Sequence, residues 1–413
     1  NENGQGSLEQ FIVNSNTLDE AGLDIEANSI FNPAVGDDTS IFMIPPTGDP
    51  LGRTADTNFA MGYFNITISN GNPLSNITDA NTNLDGRTQT AYSGNTNTGT
   101  VGSGGMGVGT SNTILPDYER PEIQVYRPGG DIIKIQGPNT VIRNISVYAN
   151  NNAGVRIQSG SATISNNLIG VNALGGATGN INTGVEITGG TVLIDGNFIS
   201  DNTDQGIWVN GGTSTIIRNN DISVNGNTAC NDNILIQDGS GIVINQNLID
   251  SAASFGIELD LPSGNVTISE NTITNSGQNS GNCSGNSEKS GIIVLGDNSS
   301  IMNNVIATNA EAGIILNGGN TTGNLISENS IYANGTASPA LGIDISNDGV
   351  TLNDLGDTDN GPNGSANFPI LISANVSGPN LILEGWSRPG ATIELFATDI
   401  NEGTATAGDN RLG

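Results

Sequence analysis

Ile194-Asp195-Gly196-Asn197-Phe198-Ile199 is one instance of a phrase, Ile-x-x-Asn-x-Ile, that this chain repeats seven times. The others are Ile164/Asn167/Ile169, Ile217/Asn220/Ile222, Ile244/Asn247/Ile249, Ile268/Asn271/Ile273, Ile301/Asn304/Ile306 and Ile326/Asn329/Ile331. A phrase recurring every few tens of residues marks a stacked-repeat architecture. A second phrase, Gly-[Val/Ile]-x-[Ile/Leu/Val], runs in step with it at Gly154, Gly184, Gly206, Gly256, Gly291, Gly313 and Gly342, with Asn233-Ile234-Leu235-Ile236 supplying the missing beat. β-Branched residues alternating behind a glycine read as a short strand with one buried face. No single repeat can bury that face alone, so the repeats must stack. Short strands with a turn at each corner predict an all-β chain wound as a parallel β-helix, one coil per repeat.

The asparagines suit a corner, where Asn tolerates a left-handed backbone and hydrogen-bonds locally. Stacked about 4.8 Å apart, identical amides can also bond one another along the rod. Asn167, Asn197, Asn220, Asn247, Asn271, Asn304 and Asn329 are therefore expected to form a structural ladder. From each glycine phrase to the next asparagine the chain takes 13 to 16 steps, but from asparagine to glycine phrase it takes 17, 9, 13, 9, 20, 9 and 13. One corner is thus fixed and the other elastic. Insertions near 170–183, 223–232, 274–290 and 332–341 should emerge on one side of the rod, the side on which repeat proteins tend to carry function.

The 41 acidic and 11 basic residues, with no histidine, give a net charge of −30. No basic patch exists to neutralise phosphates, which excludes nucleic acid and anionic membrane surfaces as partners. Nothing is long and apolar enough to span a bilayer. No leader is visible, so residue 1 is expected to follow a removed signal or a boundary of the sequence. Cys230 and Cys283 lie in the second and third insertions on the same elastic corner, about 10 Å apart along the axis. A disulfide between them is expected, and with it an extracellular location.

Residues 1–20 read as an N-terminal cap, with Ser7-Leu8-Glu9-Gln10 as a capping box opening a helix that plugs the end of the rod. Residues 21–140 read as irregular early coils, with strands near 40–44, 64–69 and 132–136, and 141–346 as the regular repeats. An acidic Asp/Asn/Gly junction fills 347–367. Residues 368–413 read as the opening strands of an Ig-like β-sandwich, near 369–374, 381–384 and 391–397, too few to complete one. The junction, Asn353-Asp354-Leu355-Gly356-Asp357-Thr358-Asp359, offers several oxygen ligands within a turn-rich stretch. Asp354, Asp357 and Asp359 are the expected ligands of a structural Ca²⁺, the alternative being a solvated linker.

Four segments resemble one family. Gly6-Ser7-Leu8-Glu9-Gln10-Phe11-Ile12 is similar to the opening of large secreted bacterial right-handed β-helix proteins. Pro73–Asp79 with Leu84-Asp85-Gly86-Arg87-Thr88-Gln89 resembles a later segment of theirs, and Leu341–Asp344 through Asn367-Phe368-Pro369 their junction. Arg388-Pro389-Gly390-Ala391-Thr392-Ile393-Glu394-Leu395-Phe396 resembles the start of the module that follows. The sequence departs at Glu9, where that family usually carries Arg. The resemblance implies a right-handed coil and a surface or secreted multidomain protein, of the adhesin type found in Bacteroidota. It brings no catalytic residue.

Parallel β-helices also include polysaccharide lyases and hydrolases, so catalysis has to be weighed. The outward residues of the glycine-phrase strands are Arg156, Glu186, Trp208, Leu235, Glu258, Ile293, Ile315 and Asp344. Glu186 and Glu258 sit three coils, or about 14 Å, apart, beyond the carboxylate separation of glycosidases. Without histidine and with a charge that repels polyuronates, the sequence reads as not an enzyme. The leading expectation is an extracellular adhesin or structural stalk presenting its loop-bearing side. Its partners would be further domains of a longer polypeptide, surface glycans or other cells, or further copies of itself. The alternatives are a glycan-binding module with Trp208 stacking on a sugar, a pectate-lyase-like enzyme, and a filament-forming polymer. Rows regular enough for ice binding are not seen.

Overall fold

The computed structural model describes residues 4–18, 33–48, 52, 55–56, 59–149, 151–177, 182–227, 230–261, 264–278, 289–319 and 321–396. Three parallel sheets run its length: two of ten strands, here sheets A and B, and one of nine, sheet C. Successive strands visit A, B and C in turn, so each circuit is one coil. One full coil is Ser161–Ser165 in A, Leu168–Ile169 in B and Val185–Ile187 in C. Every neighbouring pair within these three sheets is parallel and, but for one bulge at Val209/Asn210, in register, as in Ile164↔Ile194↔Ile217 of sheet A. The fold is a right-handed parallel β-helix, the hand that parallel crossovers take.

Both isoleucines of the repeated phrase point inward. Ile164, Ile194, Ile217 and Ile244 stack along sheet A and Ile169, Ile199, Ile222 and Ile249 along sheet B, all fully buried. Each such side chain contributes about 1.5–3 kcal/mol of burial. The asparagines between them form an unbroken ladder along the A–B corner. Each Nδ2 donates to the next Oδ1, from Asn167→Asn197 at 3.0 Å to Asn304→Asn329 at 2.9 Å. The same Oδ1 also takes the backbone N–H of the preceding asparagine. The left-handed backbone falls one residue earlier than expected, on Asn166, Gly196, Asn219, Gln246, Glu270, Asn303 and Glu328. That turn frees the ladder residue to aim its amide inward.

The glycine phrase has a steric cause. A Cβ on Gly184 would lie 2.5 Å from the carbonyl oxygen of Gly206, and on Gly256, Gly291 or Gly313 it would lie 2.7 Å from that of the next phrase glycine.

Helix α1 (Leu8–Ser15) caps the N-terminal end, with Ser7 accepting the N–H of Gln10 and Leu8 and Ile12 buried in the core. Glu9, the departure from the family pattern, accepts the N–H and hydroxyl of Ser75 at 2.7 and 2.6 Å. At the other end Asn363 bonds the backbone of Asn324 through both amide atoms, as a further coil would.

Two expectations need correction. Residues 21–140 are not all coil. After helix α2 (Arg87–Ser93), residues 94–120 leave the helix at the A–B corner and form two small antiparallel ribbons that lie across the outside of sheet B. This strap reaches from the carbonyl of Ala173, bonded by Asn97, to that of Asn303, bonded by Thr110. Beneath it Leu168, Phe198, Asp221, Leu248 and Thr272 are buried. In the C-terminal region, Ile370–Ser377 and Asn380–Trp386 pair as an antiparallel hairpin, but 391–396 forms no strand. The first strand is Asp38–Thr39, short of the 40–44 expected.

Candidate functional site

Sheet C is the face that borders the elastic corner. Its outward row runs in register as Lys134, Arg156, Glu186, Trp208, Leu235, Glu258, Ile293, Ile315 and Asp344. The four insertions all join a strand of sheet B to one of sheet C. Towards the C-terminal end, this side closes over the row: Phe255 packs on Ile293, and Ala340 lies against the cluster holding Ile315. The more open stretch is therefore Arg156 to Glu258, in which Arg156, Trp208 and Glu258 are part exposed while Glu186 and Leu235 are buried.

Within that stretch the polar groups are held rigidly. Arg156 Nε donates to Glu186 at 2.9 Å and its Nη1 lies 3.3 Å from Asp131. Trp208 is half-buried, and its Nε1 donates to Gln237 at 2.9 Å, fixing the indole in the row. Two coils on, about 10 Å away, the carboxyl of Asp232 hydrogen-bonds Glu258 and accepts the N–H of Phe255 at 3.0 Å. Asp232 comes from the second insertion and is buried. Burial first, then the charge of Glu258, holds it well above the usual carboxylate range. Glu258 remains part exposed on the row. The neighbouring Asn231 ties the insertion to Asp204 at 2.8 Å. Hydrogen-bonded carboxyls are closer than the roughly 5–9.5 Å spacing of glycosidase pairs. What the arrangement supplies is a part-exposed aromatic with a part-exposed carboxylate, Glu258, two coils on.

Sequence reasoning placed Trp208 and Glu258 on this row but missed Asp232, which reaches Glu258 only through the fold of its loop. A second amide ladder was also missed. Asn202, Asn225 and Asn233 link at 2.8 Å, as do Asn309 and Asn334. Its signal was legible: Asn202, Asn225, Asn309 and Asn334 each lie five residues after a ladder asparagine.

At the junction, Asp354 Oδ2 accepts the N–H and hydroxyl of Thr358, which holds its pKa below the ordinary value. Asp357 accepts the N–H of Asn367 and pairs with Arg388 at 3.0 Å. These carboxylates are engaged by the chain's own donors, and Arg388 stands where a cation would add charge. Among the described residues, no three His, Cys, Asp or Glu side chains gather to hold a metal ion. Cys230 sits in a left-handed turn of the second insertion, and Cys283 lies outside the described residues. No described cysteine is free. No helix among the described residues is long and apolar enough to cross a membrane.

Residues 131–293 match the family model for the right handed beta helix region. Among solved structures, the A-module of mannuronan C-5 epimerase AlgE6 from Azotobacter vinelandii is similar at 12% identity, over 53% of this chain and 70% of that one, with a TM-score of 0.29. That module is an enzyme; the expectation that this chain is not one is set aside, because the right-handed β-helix is a fold that enzymes share. So distant a likeness carries no argument about substrate or reaction.

Proposed function

We propose that this chain is a secreted or surface-displayed β-helix that binds a glycan along the open stretch of sheet C, held away from the cell by its own rod. The carrying observation is Trp208: a half-buried indole locked by Gln237, in line with Glu186 and Glu258. A sugar ring can stack on such a face while a hydroxyl of a neighbouring ring donates to Glu258, about 10 Å along the row. A net charge of −30 disfavours polyanionic chains and favours neutral glycans. The test is a glycan array with wild type and Trp208→Ala, with and without Ca²⁺, the bound glycans then being analysed for altered products. Loss of at least roughly tenfold in affinity on substitution supports the reading. Equal binding by the variant refutes it, and altered products would add a reaction to the binding.

Two further proposals concern the ends of this face. A Cys230–Cys283 bridge would join the second and third insertions, and non-reducing peptide mapping tests it. Calcium at Asp354, Asp357 and Asp359 would have to displace Arg388, and calorimetry with Ca²⁺ alone tests that.

A further inference from the structure

The outside of sheet A carries a row of a different character. Val141, Thr163, Leu193, Ile216, Val243 and Thr267 follow one another in register on six consecutive strands, and all are part or fully exposed. Beside it runs a second outward row, Arg143, Ser165, Asp195, Arg218, Asn245 and Ser269. A third, on the other side, includes Ser161, Thr191 and Ser214. These rows hold two arginines and one aspartate, a net charge of +1 on a chain of −30. This is where two copies of so acidic a protein can meet without like charges in contact.

The order of residues is self-complementary. We propose that two copies pack sheet A against sheet A about a two-fold axis that lies along the strands, between Thr191–Asp195 and Ser214–Arg218. Such an axis makes the rods antiparallel, keeps each row opposite itself and places strand one of the six opposite strand six. Leu193 then meets Ile216 of the second copy, and Thr163 meets Val243. Asp195 meets Arg218 across the axis, and Arg218 meets Asp195. Within one copy Asp195 and Arg218 are already 2.9 Å apart, with side chains 25% and 43% exposed, so the dimer joins two exposed pairs into a closed ring of four charges. Arg143 falls opposite Ser269, and no like charges oppose each other anywhere in this register. Six strands about 4.8 Å apart and three rows about 6.8 Å apart give roughly 390 Å² per copy, a small contact that suits a weak, concentration-dependent association. The contact is independent of glycan binding on sheet C.

The test is sedimentation of the full chain over a concentration series from micromolar upward, with circular dichroism to establish that each variant is folded. Wild type is expected to sediment as a dimer, and Leu193→Glu, Asp195→Arg and Arg218→Asp each to weaken it at least roughly tenfold. The decisive arm mixes the two charge variants. One of them carries arginine at both positions of the pair and the other carries aspartate at both. Opposite charges then meet again across the axis, and a mixed dimer returns that neither variant forms alone. A monomeric wild type, a dimer insensitive to all three changes, or a mixture that stays monomeric would each overturn the proposal.

Discussion

Asn247→Ala removes the middle rung of the amide ladder, and the structure sets the size of the effect. Asn247 Oδ1 accepts the backbone N–H of Asn220 and its Nδ2, both at 3.0 Å. Its own Nδ2 donates to the carbonyls of Ile217 and Asn245 and to Asn271 Oδ1, at 2.9–3.0 Å. Truncation leaves the buried N–H of Asn220 without an acceptor, at about 1–3 kcal/mol. Two or three donated bonds are lost at about 1 kcal/mol each, for a total of about 3–6 kcal/mol. Asn245→Ala, two residues away and facing outward, is the control, with an expected effect below about 0.5 kcal/mol.

A solenoid need not unfold in one step, so amide hydrogen exchange at Ile222 and Ile249 is the assay. Exchange there should quicken by about two orders of magnitude or more in Asn247→Ala and remain near wild type in Asn245→Ala. Asn247→Asp should do at least as much damage at neutral pH, because a carboxylate cannot donate to Ile217 and would face Asn271 Oδ1. If Asn247→Ala matches its control, the ladder is a consequence of the coil and not a cause of its stability.

Asp232, Asp221, Asp201 and Asp344 all have carboxyl pKa values raised by burial. The folded chain therefore keeps protons that the unfolded chain releases above about pH 3.9, and stability falls as pH rises from there through the folded values. Melting temperature is expected to be higher in mild acid than at neutral pH, and Asp232→Asn, which still donates to Glu258, should flatten that slope. Val224 sits at φ +59°, a strained conformation for a β-branched residue; Val224→Gly should stabilise by about 1 kcal/mol in thermal unfolding. Ser103 donates its N–H to Asp221 at 2.7 Å, and Gly102 passes so close that a Cβ would lie 2.6 Å from the Phe198 ring and the Asp221 carboxylate. Gly102→Val should therefore lift the strap, read as new protease cleavage within 94–120 while the coils stay folded by circular dichroism.

The coils were legible because stacking forces identical residues to recur. Ile194 can meet Ile217 only if both occupy one phase, and Asn197 can bond Asn220 only if neither is replaced. The strap has no such constraint. It meets the coils through scattered residues such as Val101 and Tyr118 that nothing in their own neighbourhood marks. Its trace was on the receiving side: the outward position after the ladder asparagine is Leu168, Phe198 and Leu248 in three coils, too apolar for a bare face. Asp232 left no trace at all. Its meeting with Glu258 depends on how an insertion folds, and insertion length is the one quantity the repeat leaves free.

The three faces divide the work by what covers them. Sheet B is roofed by the chain's own strap, which turns its apolar outer residues into a second small core and removes that face from recognition. Sheet C is roofed only in part, and the more open stretch is where a fixed aromatic, Trp208, and a part-exposed carboxylate, Glu258, stand in line. Sheet A has the shortest connections on either side, so its outer rows keep the strict period of the coil. A periodic face suits a periodic partner, and another copy of the same rod has that period built in. The repeated isoleucines thus set more than the core: by holding sheet A flat and in step they make one side of the rod complementary to itself, while the irregular corner opposite stays free for a ligand.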